Sequence, residues 1–222
     1  YPTLIAPLFN RFTPLPPGDL RQRVEALLKR CGFRSSGLFV MDGSKRSNHG
    51  NAYFTGFGKS KRVVFFDTLL TRLDPAETEA VLAHELGHYH LKHVTQRIMV
   101  LFGLSLVFLG LLGWLKEVPW FYLGLGVTTP GTAIALILFM LVIPVFGFPL
   151  QPLMSLYSRK HEFEADAYAA QHAPAKELIS ALVKLYQDNA STLTPDPLHS
   201  AVYDSHPPAA LRIARLESLQ VK

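Results

Sequence analysis

His84-Glu85-Leu86-Gly87-His88 is the segment whose residue types and spacing most plainly carry chemistry. On a helix, positions four apart lie about 40° from one another around the axis, so both imidazoles face the same way and can reach one metal ion. Glu85 sits beside them, where a carboxylate can hold a metal-activated water and take its proton. This is the ligand pattern of zinc hydrolysis, in which a third protein ligand completes the set and a fourth position stays open.

The third ligand has to come from elsewhere. His90 and His93 are near in sequence, but an unbroken helix turns them away from His84 and His88. The better candidate lies far along the chain, in His161-Glu162-Phe163-Glu164-Ala165-Asp166. Glu162 and Asp166 are four apart and share a helical face, whereas Glu164 is rotated by about 200° from Glu162 and points elsewhere. Glu162 reads as the third metal ligand. Asp166 reads as the acceptor for a ligand imidazole N–H, fixing that ring's tautomer and orientation.

The elements that must position these residues follow from pattern and composition. The chain has 222 residues, 49% hydrophobic and 18% charged, with a formal charge of +5. Ordinary soluble domains carry about 25% charged residues. The deficit is local: Ile98–Leu115 and Val118–Ser158 contain no charged side chain. Ile98–Leu115 rises about 27 Å as a helix, close to the hydrocarbon thickness of about 30 Å. Ala133–Tyr157 is long enough to span as well, with Pro144, Pro149 and Pro152 kinking it or breaking its last turns. Trp114, Trp120 and Tyr122 around the connecting link suit a membrane interface. One cysteine, Cys31, excludes a disulfide framework. Scattered Lys and Arg without an aromatic-basic motif argue against a nucleic-acid partner.

Before the apolar segments, a Pro-rich extended lead-in from Tyr1 to Asp19 precedes an amphipathic helix capped by Asp19. Three β-type runs follow, Gly37–Met41, Ala52–Phe57 and Arg62–Phe66, read as a small antiparallel sheet. Asp74-Pro75 with Glu77 opens the helix of the histidine motif as a capping box, and no breaker is evident before Ile98. After Ser158, helices are expected over Arg159–Ala173, Ala175–Asn189 and Ala209–Leu219, with a loop over Ser191–Pro208. The first residue is Tyr and no charged leader precedes an apolar run, so no signal peptide is read and the chain is expected to be a segment of a longer protein or a trimmed one. The expected fold is mainly α, a membrane protein with a small antiparallel sheet. It forms one domain over 1–222 with a transmembrane hairpin, 98–115 and 133–157, inserted between the two metal motifs.

Two spans return the chain to its starting side, so both halves of the metal site lie at one membrane face. Lys92, Arg97, Arg159 and Lys160 flank that side and only Lys116 and Glu117 the other. The positive-inside rule then puts the site on the cytoplasmic side of a multi-pass protein.

Five stretches in order, the histidine motif among them, resemble the type I CAAX prenyl protease family of integral-membrane zinc metalloproteases, of gluzincin type. They are Arg46–Gly56, Lys61–Leu70, His84–His88, Ser158–Ala169 and Ser205–Pro208. Heat-shock-type membrane zinc proteases share the metal motifs and the His-Pro, and resemble the chain less around Asn51–Gly56 and Phe66–Leu70. The resemblance implies a zincin-like core with one Zn2+ held by His84, His88 and Glu162. It implies Glu85 as general base and acid, and Asp166 as support for a ligand histidine. It implies His206 as an oxyanion stabiliser and Arg212 at the substrate end. Asn51 would begin a strand whose exposed edge aligns the peptide. His49 has a comparable claim to ordinary polar duty in a turn. Relatives of this type carry further N-terminal spans enclosing an intramembrane chamber.

The expected activity is zinc-dependent endopeptidase action at the membrane face on a peptide or protein substrate. The CAAX-type substrate would be a prenylated C-terminus cut after the modified Cys. Two alternatives stand beside it: a quality-control protease of misfolded membrane proteins using the same chemistry, and a zinc-binding membrane scaffold without turnover.

Overall fold

The computed structural model describes residues 5–46, 50–55, 61–188 and 195–220. In chain order the elements are α1 (Ala6–Phe9), β1 (Phe12–Pro14), α2 (Asp19–Arg30), β2 (Leu38–Met41), β3 (Ala52–Thr55), β4 (Arg62–Phe66), α3 (Asp67–Arg72), α4 (Pro75–His90), α5 (His93–Leu115), α6 (Pro119–Gly124), α7 (Thr132–Gly147), α8 (Gln151–His172), α9 (Ala175–Asp188), α10 (Pro197–Tyr203) and α11 (Ala209–Gln220). His49, and with it part of the stretch 46–56, lies outside the described residues.

The sheet is mixed, not antiparallel. Its order is β1-β2-β4-β3, and β2 runs parallel to β4. The connection between β2 and β3 carries the chain past the place that β4 later fills, so β3 pairs antiparallel with β4 on its far side. Val63, Val64 and Phe65 are all buried, as expected of a central strand covered on both faces rather than an alternating one. β1 lies inside the lead-in read as extended and joins β2 antiparallel. Pro14 fits there because an edge strand tolerates the missing N–H.

α4 starts where its capping signal predicts. Asp74 Oδ1 accepts from the backbone N–H groups of Ala76 and Glu77, and Glu77 Oε2 accepts from that of Asp74. Glu77 also reaches across to α9, accepting from Ser180 Oγ at 2.6 Å and Lys184 Nζ at 2.6 Å. At α2 the first expectation shifts by one residue: Gly18 is the N-cap and Asp19 lies inside, accepting from Arg23 instead. α2 is tied to α4 by Arg30 on Glu79 at 2.7 Å. The core between sheet and helices is built on Val24, Leu27, Leu69, Leu82, Leu86 and Leu216.

The helix of the histidine motif does not run on into the apolar segment. It ends at His90, and Lys92 takes a left-handed conformation with φ 58° before α5 begins. Lysine carries no sequence signal for such a break, since glycine or asparagine is the usual occupant. The second apolar segment bends as its prolines require: α7 contains Pro144, a 3-10 turn spans Phe148–Leu150, and α8 restarts with Pro152 in its first turn. α6 interrupts the link between the spans, and α10 forms where a loop was expected. Asp196 caps α10 by accepting from the His199 N–H.

Only 6% of the apolar window of α5 and 11% of that of α7–α8 are buried. Faces carrying Ile98, Phe102, Leu109, Leu141 and Phe146 in the open are intelligible when lipid covers them. The chain is a membrane protein. At the hairpin's tip Leu115, Phe121, Tyr122 and Ala135 form a small cluster of their own. At its root Arg97 donates to Ser158 Oγ at 3.2 Å, joining α5 to α8.

Candidate active site

Helices α4 and α8 pack together and bring the two motifs face to face. His84 and His88 approach each other through their Nε2 atoms, 3.1 Å apart. Glu162, 4% exposed, sets Oε2 at 3.6 Å from His84 Nε2 and Oε1 at 3.4 Å from His88 Nε2. The chain's two distant motifs thus meet at one point.

The outer nitrogens of both rings are also engaged. His84 Nδ1 lies 2.9 Å from Asp166 Oδ1. His88 Nδ1 lies 2.9 Å from His93 Nδ1, and His93 Nε2 lies 3.1 Å from Glu164 Oε2. Ionised carboxylates only accept. With neutral rings, His84 Nδ1 and His93 Nε2 therefore carry protons. His93 Nδ1 is then a lone pair, His88 Nδ1 a donor, and both inner Nε2 atoms lone pairs. Two lone pairs and a carboxylate then face one point, an arrangement suited to holding a cation.

The spacing suits zinc. Tetrahedral ligands at about 2.0–2.1 Å from the ion lie about 3.4 Å from one another, and the approaches between the three side chains, 3.1, 3.4 and 3.6 Å, bracket that value. The donor set, two imidazoles and one carboxylate, is one that zinc accepts in catalytic sites. A second group of three possible ligands, His93, His161 and Glu164, stands beside it.

Arg212 and His206 enter from the far end of the chain. Arg212, 6% exposed, grips Asp166 with Nε at 2.8 Å and an Nη at 2.6 Å, and its other Nη lies 3.4 Å from Glu162 Oε2. His206 Nδ1 lies 3.1 Å from Glu162 Oε2, while its side chain stays 62% exposed toward the cleft. The hydrogen bond to Glu162 raises the His206 pKa above the ordinary histidine value, against the opposing effect of burial. The loop is fixed by Tyr186, which donates to the Pro207 carbonyl at 3.2 Å, and by Arg159, which donates to Ser200 Oγ at 3.2 Å. An open cleft of about 850 Å³ runs from here, lined by Tyr186, His199, Tyr203, His206, Pro208 and Arg212.

Glu85 is half-buried beside His84. Asn51 is exposed at the start of β3, and its carbonyl accepts from the Phe66 N–H at 2.9 Å. β3 is an edge strand of the sheet and packs against α4.

His84, His88, Glu162, Asp166, His206 and Arg212 are thus gathered in one place. Sequence reasoning missed His93 and Glu164. It turned His93 away on the premise of an unbroken helix, and the break at Lys92 removes that premise. It sent Glu164 elsewhere, and elsewhere is His93.

A model of peptidase family M48 matches residues 14–220. The chain is 43% identical to the CAAX prenyl protease 1 homolog of Arabidopsis thaliana, over 98% of this chain and 51% of that protein. It is 38% identical to CAAX prenyl protease 1 of Saccharomyces cerevisiae, over 100% of this chain and 52% of that one. It superposes on the crystal structure of S. mikatae Ste24p with a TM-score of 0.86 at 38% identity, covering 97% of this chain and 54% of that one. The chain spans about half the length of the curated relatives it matches. Coverage of nearly its whole length by the family model, with both metal motifs inside the match, places the chain in peptidase family M48.

Proposed function

We propose that the chain carries the catalytic site of a membrane zinc endopeptidase that trims CAAX-type prenylated C-termini. One observation supports this above all: His84, His88 and Glu162, from two distant helices, bring two ring nitrogens and a carboxylate together at close to tetrahedral spacing, with the outer nitrogen of His84 tied back to Asp166. His84, His88 and Glu162 would hold one Zn2+. When bound, the ion supplies a Lewis acid for the scissile carbonyl and brings the pKa of a water to about 7.

The chain's own residues do the rest. Glu85 accepts the attacking water's proton and hands it to the leaving amine. His206 donates to the developing oxyanion, a role suited to a ring whose proton is retained by its carboxylate neighbour. Asp166 keeps His84 in the tautomer that offers Nε2, and Arg212 holds Asp166 in place at the end of the substrate cleft. The free edge of β3, beginning at Asn51, can pair with an extended peptide through main-chain hydrogen bonds that do not depend on its sequence.

The names of the relatives favour the CAAX substrate, and the lipid-facing hairpin favours a lipid-modified one. The transmembrane segments 98–115 and 133–157 belong to one domain with the site and return it to a single membrane face. Lys92, Arg97, Arg159 and Lys160 favour the cytoplasmic side of a multi-pass protein. The test is Glu85→Gln in the purified protein. It is expected to retain zinc and to lose cleavage of a prenylated CAAX peptide. Undiminished cleavage would remove Glu85 from its role, and cleavage of unmodified denatured membrane segments in preference to the prenylated peptide would replace the substrate class.

A further inference from the structure

His93 and Glu164 have no part in the chemistry so far, yet they stand next to it. His93 is the first residue of the first apolar helix, is 3% exposed, and meets His88 Nδ1 to Nδ1 at 2.9 Å. Its other nitrogen meets Glu164 at 3.1 Å. His161 stacks flat on the His93 ring, with centroids 4.0 Å apart and planes 4° from parallel, and Tyr157 packs edge-on against His161 at 4.3 Å.

The trio could be taken for a second metal site. The stacking argues otherwise. An imidazole directs its lone pair within the ring plane, and two parallel planes do not meet, so His93 and His161 cannot both aim at one ion. By contrast, His84 and His88 stand at 82° to each other and their lone pairs converge.

We infer that His93 and Glu164 are positioning residues for the ligand His88, forming a carboxylate–histidine–histidine chain that matches the Asp166 support of His84. Glu164 fixes the His93 tautomer, His93 accepts the His88 Nδ1–H, and His161 holds the His93 ring plane. α8 thus supplies the supports of both ligand imidazoles, Glu164 and Asp166, as well as Glu162 itself. This rests on the reading of His84, His88 and Glu162 as the zinc site. Such supports are worth about 10–100-fold in metal affinity.

The experiment is a zinc competition against a chelator, with cobalt absorption spectra, on the detergent-purified protein. His93→Phe keeps a ring on His161 but removes the acceptor. It is expected to weaken zinc binding by about 10–100-fold and to alter the cobalt spectrum. His93→Asn, which can place an oxygen where Nδ1 was, is expected to restore most of the affinity. Wild-type affinity and an unchanged spectrum in His93→Phe would overturn the inference. If His93→Phe fails to fold, Glu164→Ala decides, its side chain being 40% exposed: weaker zinc binding supports the chain, unchanged binding overturns it. Two zinc ions per wild-type chain, falling to one in His93→Phe, would also overturn it by making the trio a cage. His88→Ala separates the two levels. Affinity lost there but intact in His93→Phe sinks this inference alone, and affinity intact in both sinks the zinc site beneath it.

Discussion

Gly87 packs against Ala165 so closely that a Cβ on the glycine would stand 3.0 Å from Ala165 Cα and 3.1 Å from its carbonyl oxygen. The contact lies between His84 and His88 on α4 and beside Glu162 on α8, so it sets the distance over which the metal ligands meet. Gly→Ala inside a helix normally gains about 0.5–1 kcal/mol. Here backbone has to move, and overpacking of this kind costs about 1–3 kcal/mol. Gly87→Ala is therefore expected to be net destabilising and to weaken zinc binding, as measured by thermal unfolding and chelator competition. A stabilised variant with full zinc affinity would show that the helices are not held at this separation.

Glu77 gives a prediction about acid. The residue is 1% exposed. Burial works to raise its pKa, but hydrogen bonds from Lys184, Ser180 and the Asp74 N–H outweigh burial and leave it below the ordinary glutamate value. A depressed folded-state pKa means stability that is complete above the unfolded value of about 4.3 and is lost as pH falls through the lower one. Unfolding of the wild type should therefore become easier as pH falls from about 5. Glu77→Gln should lose stability at pH 7, on the order of 2 kcal/mol, and show a flatter acid limb. Parallel acid limbs for the two proteins would contradict this.

The break between α4 and α5 is tested at Lys92. A left-handed conformation costs an L-residue about 1–2 kcal/mol, and β-branching makes it worse. Lys92→Gly should be neutral or stabilising, and Lys92→Val should destabilise by about 1–2 kcal/mol. The order Gly, Lys, Val in thermal stability is the expected result. Equal stabilities would mean the helix runs on.

Much of this was legible before any coordinates. The i,i+4 spacing of His84 and His88, the capping box at Asp74 and the uncharged runs each depend on local rules, and each is found in place. The convergence of Glu162 on the two histidines follows from one topological step, a hairpin returning to its own side. What escaped depends on non-local facts. β4 became a central, parallel partner of β2 because β3 took the outer edge. His93 joined the site because a lysine adopted a conformation its sequence does not advertise. The resemblance set Arg212 at the substrate end, but its buried pairing with Asp166 was not legible, since 46 residues separate the partners.

His206 has a kinetic signature. It touches Glu162 but is mostly exposed, so its loss should leave the metal site standing. His206→Ala is expected to lower kcat by about 10²–10³ with little change in KM or in zinc content. Loss of zinc along with activity would make it a structural partner of Glu162 instead.

The most direct measurement is a crystal of the zinc-loaded protein diffracted on both sides of the zinc absorption edge. A single anomalous peak about 2.0–2.2 Å from His84 Nε2, His88 Nε2 and a Glu162 carboxylate oxygen is the predicted result. No peak among those three atoms, or a peak held by His93, His161 and Glu164, would contradict it.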